Sequence, residues 1–218
     1  MATIIEPFRI KSVEPLKFTT PEHRAQILKD AHHNLFLIQS DHVLIDLLTD
    51  SGTSAMSAKQ WAGIMVGDES YAGSPSFYRF QDIAQKITGY QHIIPTHQGR
   101  AAEKIIFTLL GGKGKTFVSN TFFDTTRGNI EYSGAEAVDF LTEDGKNTAL
   151  RGDFKGNMDT VALEKYIQER GAENISMCVM TITNNSGGGQ PVSMQNLKET
   201  AAICKKHVIL YLIDACRF

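Results

Sequence analysis

The run Ile175-Ser176-Met177-Cys178-Val179-Met180-Thr181-Ile182 carries no charge, and Thr183-Asn184-Asn185-Ser186-Gly187-Gly188-Gly189-Gln190 follows it. Ser193 to Lys206 comes next, and then a second apolar run, Val208-Ile209-Leu210-Tyr211-Leu212-Ile213. A continuous apolar run bounded by turn residues predicts a strand covered on both faces, and both runs read that way. The Ser193–Lys206 segment between them reads as a helix. Two buried strands joined through a helix are the unit of a largely parallel α/β sheet.

The same alternation extends towards the N-terminus. Asn157-Met158-Asp159 reads as the cap of a helix reaching Glu169, with Val161, Leu163, Tyr166 and Ile167 as its apolar positions. Ala137–Leu141 and Thr116–Asn120 read as strands, and Thr116–Asn120 delivers the polar stretch Thr121–Gly128. Ala101–Leu110 reads as a helix stopped by Gly111-Gly112, preceded by the turn Pro95-Thr96-His97-Gln98-Gly99-Arg100 and by Ile93-Ile94, expected to end a strand. Further back, Pro75 opens a helix to about Thr88 whose stripe of Phe77, Phe80, Ile83, Ala84 and Ile87 is expected in the core. Gln60–Met65 and Pro21–Ala31 also read as helices, and Val43–Leu48 as a strand. Residues 1 to about 20, with Pro7 and Pro15, have the composition of an arm that packs on a neighbour.

Size and composition exclude several classes. The chain has 218 residues, 42% hydrophobic and 21% charged, enough for a substantial core. A net charge of −2 gives no electrostatic footprint for nucleic acid or for an anionic membrane. No run reaches the length of a membrane span and the N-terminus has no basic-then-apolar leader, so the expected location is the cytoplasm. Cys178, Cys204 and Cys216 are too few and too scattered for a disulfide framework or a zinc ribbon.

In open α/β sheets ligands bind beyond the carboxyl ends of the strands. The residues expected there are Gln98, Gly99 and Arg100, Phe123 and Asp124, Asn185, Asp214 and Arg217. Gly99 lets backbone approach closely, the helix start favours an anion and Arg100 adds charge, so this turn suits a phosphate, although a plain capped helix with a solvated arginine has the same residues. Asp214, directly after an apolar strand, needs a charged or N–H partner. A phosphate site, an aromatic and an aspartate suit pyridoxal phosphate, whose ring nitrogen an aspartate keeps protonated. Spacing alone equally admits a nucleotide- or sugar-phosphate-binding protein.

Five longer stretches carry a resemblance. They are Glu6–Lys11, Ile45–Thr53, Gly67-Asp68-Glu69-Ser70-Tyr71-Ala72-Gly73-Ser74, Pro95–Arg100 and Gly188-Gly189-Gln190-Pro191-Val192-Ser193. In that order they resemble the β-eliminating lyases, the family of tryptophanase and tyrosine phenol-lyase. The resemblance implies the large domain of an aspartate-aminotransferase-like, fold-type I pyridoxal-phosphate enzyme with a mostly parallel sheet. Residues 1–50 would form the arm and part of a small domain, and 51–218 the N-terminal part of the large domain.

By the same resemblance Gln98, Gly99 and Arg100 bind the cofactor phosphate and Phe123 stacks on its ring. Asp214 pairs with the ring nitrogen, Asn185 bonds the ring hydroxyl oxygen and Arg217 sits near it. Tyr71 is the general acid towards the leaving arene, while Thr49 and Ser51 line the substrate carboxylate pocket. Glu69 with the carbonyl of Gly52 forms part of a potassium site, as suits a hard cation. The implied reaction splits an aromatic amino acid into arene, pyruvate and ammonia, in a homotetramer with the arm at an interface. Asp124 followed by Thr125-Thr126 resembles the tryptophanase form, since an acidic residue suits an indole N–H better than a phenol oxygen. The Leu110–Thr116 connection and Ala55-Met56-Ser57 look more like the phenol-lyase. Ser70 and Gly187 stand where alanines are usual, and Cys216 where a small hydroxylated residue is usual. None of the lysines matches the family's Schiff-base motif, so the 218-residue chain is expected to be a fragment without turnover of its own. A non-catalytic truncated relic is the reading from another class, with an open sheet edge as its mark.

Overall fold

The computed structural model describes residues 18–43, 56–68 and 70–216. The chain divides into two compact units, residues 1–93 and 94–218.

Among the described residues of the first unit, three α-helices form where capping residues and proline start them. Helix α1 (Pro21–Asp30) has proline in its first turn, and the Thr20 side chain accepts from the His23 N–H. Helix α2 (Ala58–Val66) opens with a reciprocal capping box between Ser57 and Gln60. Helix α3 (Pro75–Thr88) is capped by Ser74 and ends at Gly89, whose φ of 74° is the left-handed conformation glycine adopts without strain. The α3 stripe differs from its expected core position. Phe77, Phe80, Ile83 and Ile87 are all exposed, because no described element of this unit covers that face. The expected strand Val43–Leu48 lies, beyond Val43, outside the described residues.

The second unit is a three-layer α/β/α body. Its elements are α4 (Gly99–Leu110), β1 (Thr116–Ser119), α5 (Asp124–Tyr132), β2 (Glu136–Asp139), α6 (Glu143–Lys146), α7 (Thr160–Arg170), β3 (Ile175–Thr181), α8 (Met194–His207) and β4 (Leu210–Asp214). The four strands are all parallel in the order β2-β1-β3-β4. Side chains alternate between two cores, as the strand period of two requires. On one face Phe117, Met177 and Val179 pack with Phe107 of α4 and Ile130 of α5. Phe107 and Phe117 meet edge to face, 5.1 Å between ring centroids. On the other face Val118, Cys178 and Met180 pack with Leu163 and Ile167 of α7 and Cys204 of α8. A hydrogen bond with the Cys204 sulfur, together with burial, pushes the Cys178 thiol well above its ordinary range, so it stays protonated.

Three sequence expectations change here. Ile93-Ile94 ends no strand: the segment is irregular and Ile94 is 84% exposed. Asp124–Tyr132, to which the sequence pattern assigns no element, is a helix held by burial of Thr126 and Ile130. Strand β4 is as apolar as β3 but forms the end of the described sheet, with Leu210 53% exposed, whereas β3 is buried between β1 and β4.

Candidate active site

The chain runs from β1 outward to β2, then crosses back over β1 to β3 and continues to β4. The carboxyl ends of β1 and β3 therefore flank the point where the winding reverses, the place where α/β sheets open a crevice. Three of the expected residues follow the strand ends there: Phe123 after β1, Asn185 after β3, and Asp214 closing β4.

Each has a local reason for its place. Phe122 is buried in the core, and its N–H donates to Asp139 Oδ1 at 2.9 Å while the Arg127 guanidinium lies 5.7 Å over its ring. Phe123 comes next in extended backbone and is partly buried, unlike Phe122. Asp214 is half-buried; its carboxylate accepts from the Cys216 N–H at 3.2 Å and its carbonyl accepts from the Ile182 N–H at 3.0 Å. That second bond ties the ends of β3 and β4 together. Asn185 is exposed in a short turn, and Gly188 and Gly189 beyond it have φ of 75° and 71°, a left-handed conformation that glycine adopts without strain.

Gln98 caps α4 through its backbone alone, its carbonyl accepting from the Ala101 N–H at 3.1 Å, with no side-chain cap hydrogen bond. The N-caps Thr20, Ser57, Ser74, Asp159 and Ser193 each accept a first-turn N–H through the side chain, whereas Phe123 of α5, like Gln98, does not. A Cβ built on Gly99 meets nothing within 4 Å, so the space beside this helix start is open. The α4 start lies on the carboxyl side of the sheet, because Glu103, one turn in, bonds the first turn of α5 just after β1. Arg100 stands in the first turn of α4 and Asp124 in that of α5, its Oδ1 accepting from the Thr125 N–H at 2.5 Å. An open helix start beside an arginine can hold an anionic group, and the strand-end aromatic, amide and carboxylate can face a flat heterocycle.

Sequence reasoning passed over the groups that fix this crevice. Asn120 is buried directly after β1 and uses its whole amide. Its Oδ1 accepts from the Thr181 N–H at 2.9 Å and the Ser119 hydroxyl at 3.1 Å. Its Nδ2 donates to Thr181 O at 2.9 Å and Gly156 O at 2.8 Å. The side chain thus extends the β1–β3 ladder by one residue beyond the last register pair, Ser119 with Val179. Asn184 adds a second tie, its Nδ2 donating to Thr121 O while its Oδ1 accepts from the Ser186 N–H. Between them Thr183 has φ of 58°, unusual for a β-branched residue, and its buried hydroxyl has no partner among the described residues. The only signal for these residues in the sequence was their place, polar groups at the ends of apolar runs.

Tyr71 belongs to the first unit and is fully exposed on a loop that Asp68 closes. The Asp68 carboxylate accepts from the Ser76 N–H at 2.9 Å and from the Ser76 hydroxyl, and the Ser70 hydroxyl lies 3.4 Å away. Hydrogen bonds from Ser74 and Ser76 hold the Asp68 carboxyl down at about 2. Thr49, Ser51, Gly52, Glu69 and Arg217 lie outside the described residues. Among the described residues no group of three or more His, Cys, Asp or Glu side chains could hold a metal ion, and no helix is long and apolar enough to cross a membrane.

The architecture is that of the fold-type I pyridoxal-phosphate enzymes. An alanine aminotransferase from Pyrococcus furiosus superposes with a TM-score of 0.53 at 17% identity, over 70% of this chain and 38% of its own. A pyridoxal-phosphate-bound C-S lyase from Staphylococcus hominis superposes at 0.51 and 14% identity, over 71% of this chain and 38% of its own. Within that class, the family model for beta-eliminating lyases matches residues 46–218, and the chain belongs to that family. It is 57% identical to a tryptophanase from Hyphomonas neptunium over its whole length, covering 48% of that protein. A tryptophanase from Rhodobacter capsulatus is 55% identical with the same coverage. A tyrosine phenol-lyase from Pasteurella multocida is 46% identical over 97% of this chain and 46% of its own length. The chain spans about half the length of the curated relatives it matches.

Proposed function

We propose that this chain is the N-terminal portion of a pyridoxal-phosphate-dependent lyase that cleaves L-tryptophan to indole, pyruvate and ammonia. The observation that carries the reading is the carboxyl edge of the sheet, where an uncapped α4 start with Arg100 accompanies Phe123, Asn185 and Asp214. When bound, pyridoxal phosphate supplies an electron sink that lets the substrate lose its α-proton. The chain's own residues hold and tune that group. The α4 N–H groups with Gln98, Gly99 and Arg100 grip the phosphate, a dianion suited to a helix start. Phe123 covers one face of the ring, and Asp214 holds a proton on the ring nitrogen, its carboxylate already oriented by the Cys216 N–H. Asn185 and Arg217 bond the ring hydroxyl oxygen.

Tyr71 protonates the arene carbon, which turns indole into a leaving group. Asp124 accepts the indole N–H, and Thr49 and Ser51 orient the substrate carboxylate. Glu69 and the Gly52 carbonyl belong to a potassium site. Residues 1–50 are the arm and part of a small domain, residues 51–218 the N-terminal part of the large domain, and the assembly is a cytoplasmic homotetramer. The lysine that anchors the cofactor lies in the part of the lyase that this chain does not span.

Tryptophan is preferred over tyrosine because the tryptophanases at 51–57% identity lie nearer this sequence than the phenol-lyases at 43–46%, and because Asp124 suits an N–H donor. The phenol-lyase reading keeps two features of its own, the short connection between α4 and β1 and the Ala55-Met56-Ser57 sequence. Pyruvate release by the complete lyase separates the two. Faster release from L-tryptophan is expected, and faster release from L-tyrosine overturns the substrate assignment. Residues 1–218 alone are expected to release none, and turnover by that fragment would falsify the division of the active site.

A further inference from the structure

A carboxylate interrupts the inward face of α4. Phe107 is buried there, with Ile106 and Leu110 beside it, yet Glu103 one turn earlier on the same face is charged. Its two oxygens are separately engaged by α5. Oε1 accepts from the buried Thr126 hydroxyl at 2.5 Å, and Oε2 accepts from Asn129 Nδ2 at 3.2 Å. Thr126 and Asn129 are three residues apart and present one face of α5, so the carboxylate fixes both the rotation and the height of that helix.

The two helices it joins both begin at the candidate site. Arg100 lies three residues before Glu103 and Asp124 two residues before Thr126, with Phe123 as the α5 cap. No strand hydrogen bond links these helix starts, since α5 follows β1 and α4 precedes it. The packing of Phe107 and Ile130 holds the helices together further from the site. Near the site, hydrogen bonds to Glu103 are the directional link. The α5 start itself is weak: its first six residues, Asp124-Thr125-Thr126-Arg127-Gly128-Asn129, are all poor or middling helix formers except arginine.

We propose that Glu103 is a positioning residue: it locks the first turn of α5 to the anion-binding start of α4, and so fixes where Phe123 and Asp124 stand against the cofactor and the departing arene. This rests on the lyase reading for its chemical consequence but not for its geometry.

The test uses Glu103→Ala, Glu103→Gln and Thr126→Val in the complete lyase. Hydrogen exchange of the cofactor-free protein reads the geometry. Glu103→Ala and Thr126→Val should each speed exchange at residues 125–128 by about tenfold, with β1 and β3 unchanged. Their combination should do little more than either alone. Glutamine keeps one carbonyl acceptor for Asn129 and offers an N–H to the Thr126 oxygen, so Glu103→Gln should stay within about threefold of wild type. In the loaded enzyme Glu103→Ala should lower kcat with L-tryptophan about tenfold with KM little changed, because misplacement costs the transition state rather than binding. Unchanged exchange at residues 125–128, or equal loosening of β1 and β3, overturns the lock. Altered exchange with unchanged kcat overturns the link to the reaction. A wild-type enzyme that releases no pyruvate refutes the lyase reading instead, and the exchange comparison still decides the lock.

Discussion

Replacing Asn120 by alanine removes the amide that holds the β1 and β3 ends together, and the cost follows from its partners. Thr181 N–H and C=O and Gly156 C=O, bonded at 2.9, 2.9 and 2.8 Å, lose the amide in a region closed to solvent. An orphaned buried group costs roughly 1–3 kcal/mol, so the three give about 3–9 kcal/mol. A water entering the small hole relieves part of this, leaving about 3 kcal/mol. In the complete lyase, about twice the length of this chain, that lowers Tm by roughly 3–6 °C. Asn120→Asp discriminates further. It keeps the acceptor facing the Thr181 N–H but sets an oxygen against the Thr181 and Gly156 carbonyls, so near neutral pH it should be at least as damaging as alanine. The assay is thermal unfolding of the cofactor-free complete lyase and both variants. An alanine variant within about 1 °C of wild type, or an aspartate variant as stable as wild type, refutes the view that this amide carries the strand-end junction.

Three other outcomes are expected. Phe107→Ala removes a buried ring stacked edge to face on Phe117 and should cost about 3–5 kcal/mol by urea unfolding; a loss below about 1 kcal/mol would contradict the packing of α4 on the sheet. Arg100→Ala should weaken pyridoxal phosphate binding by roughly ten- to a hundredfold in a fluorescence titration, with Arg100→Lys intermediate, and equal affinity in all three would remove Arg100 from the cradle. The Asp68 carboxyl sits at about 2, below its ordinary 3.8. A lowered value means the ionised form is the one bonded. The tie that closes the Tyr71 loop is therefore fully present above about pH 3.8 and is lost as pH falls through about 2. A carboxyl-carbon NMR titration with its midpoint near 3.8 would show that the serines do not hold it.

What could be read from the sequence follows from range. The apolar run at 175–182 showed a strand covered on both faces, and β3 is that strand, because its own composition records both neighbouring layers. Strand β4 comes from an equally apolar run, Val208–Ile213, yet lies at the end of the described sheet, since no residue within it records how many strands lie beyond. The α3 stripe failed in the same way: periodicity shows a helix and its apolar face but not what covers that face. Helix α5 was missed because Thr125, Thr126, Gly128 and Asn129 have low intrinsic propensity, and the contacts that override it, Glu103 to Thr126 and Arg127 to Asp139, come from other elements. The site showed a similar split. Residues at strand ends could be picked out because a polar group after an apolar run is visible locally. The ties between those ends join residues as far apart as Asn120 and Thr181, which only the fold brings together.

A crystal structure of the complete lyase with pyridoxal phosphate shows whether the carboxyl edge of this sheet holds the cofactor. The phosphate is expected against the N–H groups of Gly99 and Arg100, with Phe123 on the ring and the Asp214 carboxylate within hydrogen-bond distance of the ring nitrogen. A cofactor bound elsewhere, or one whose ring nitrogen faces no carboxylate, would remove this edge from cofactor binding.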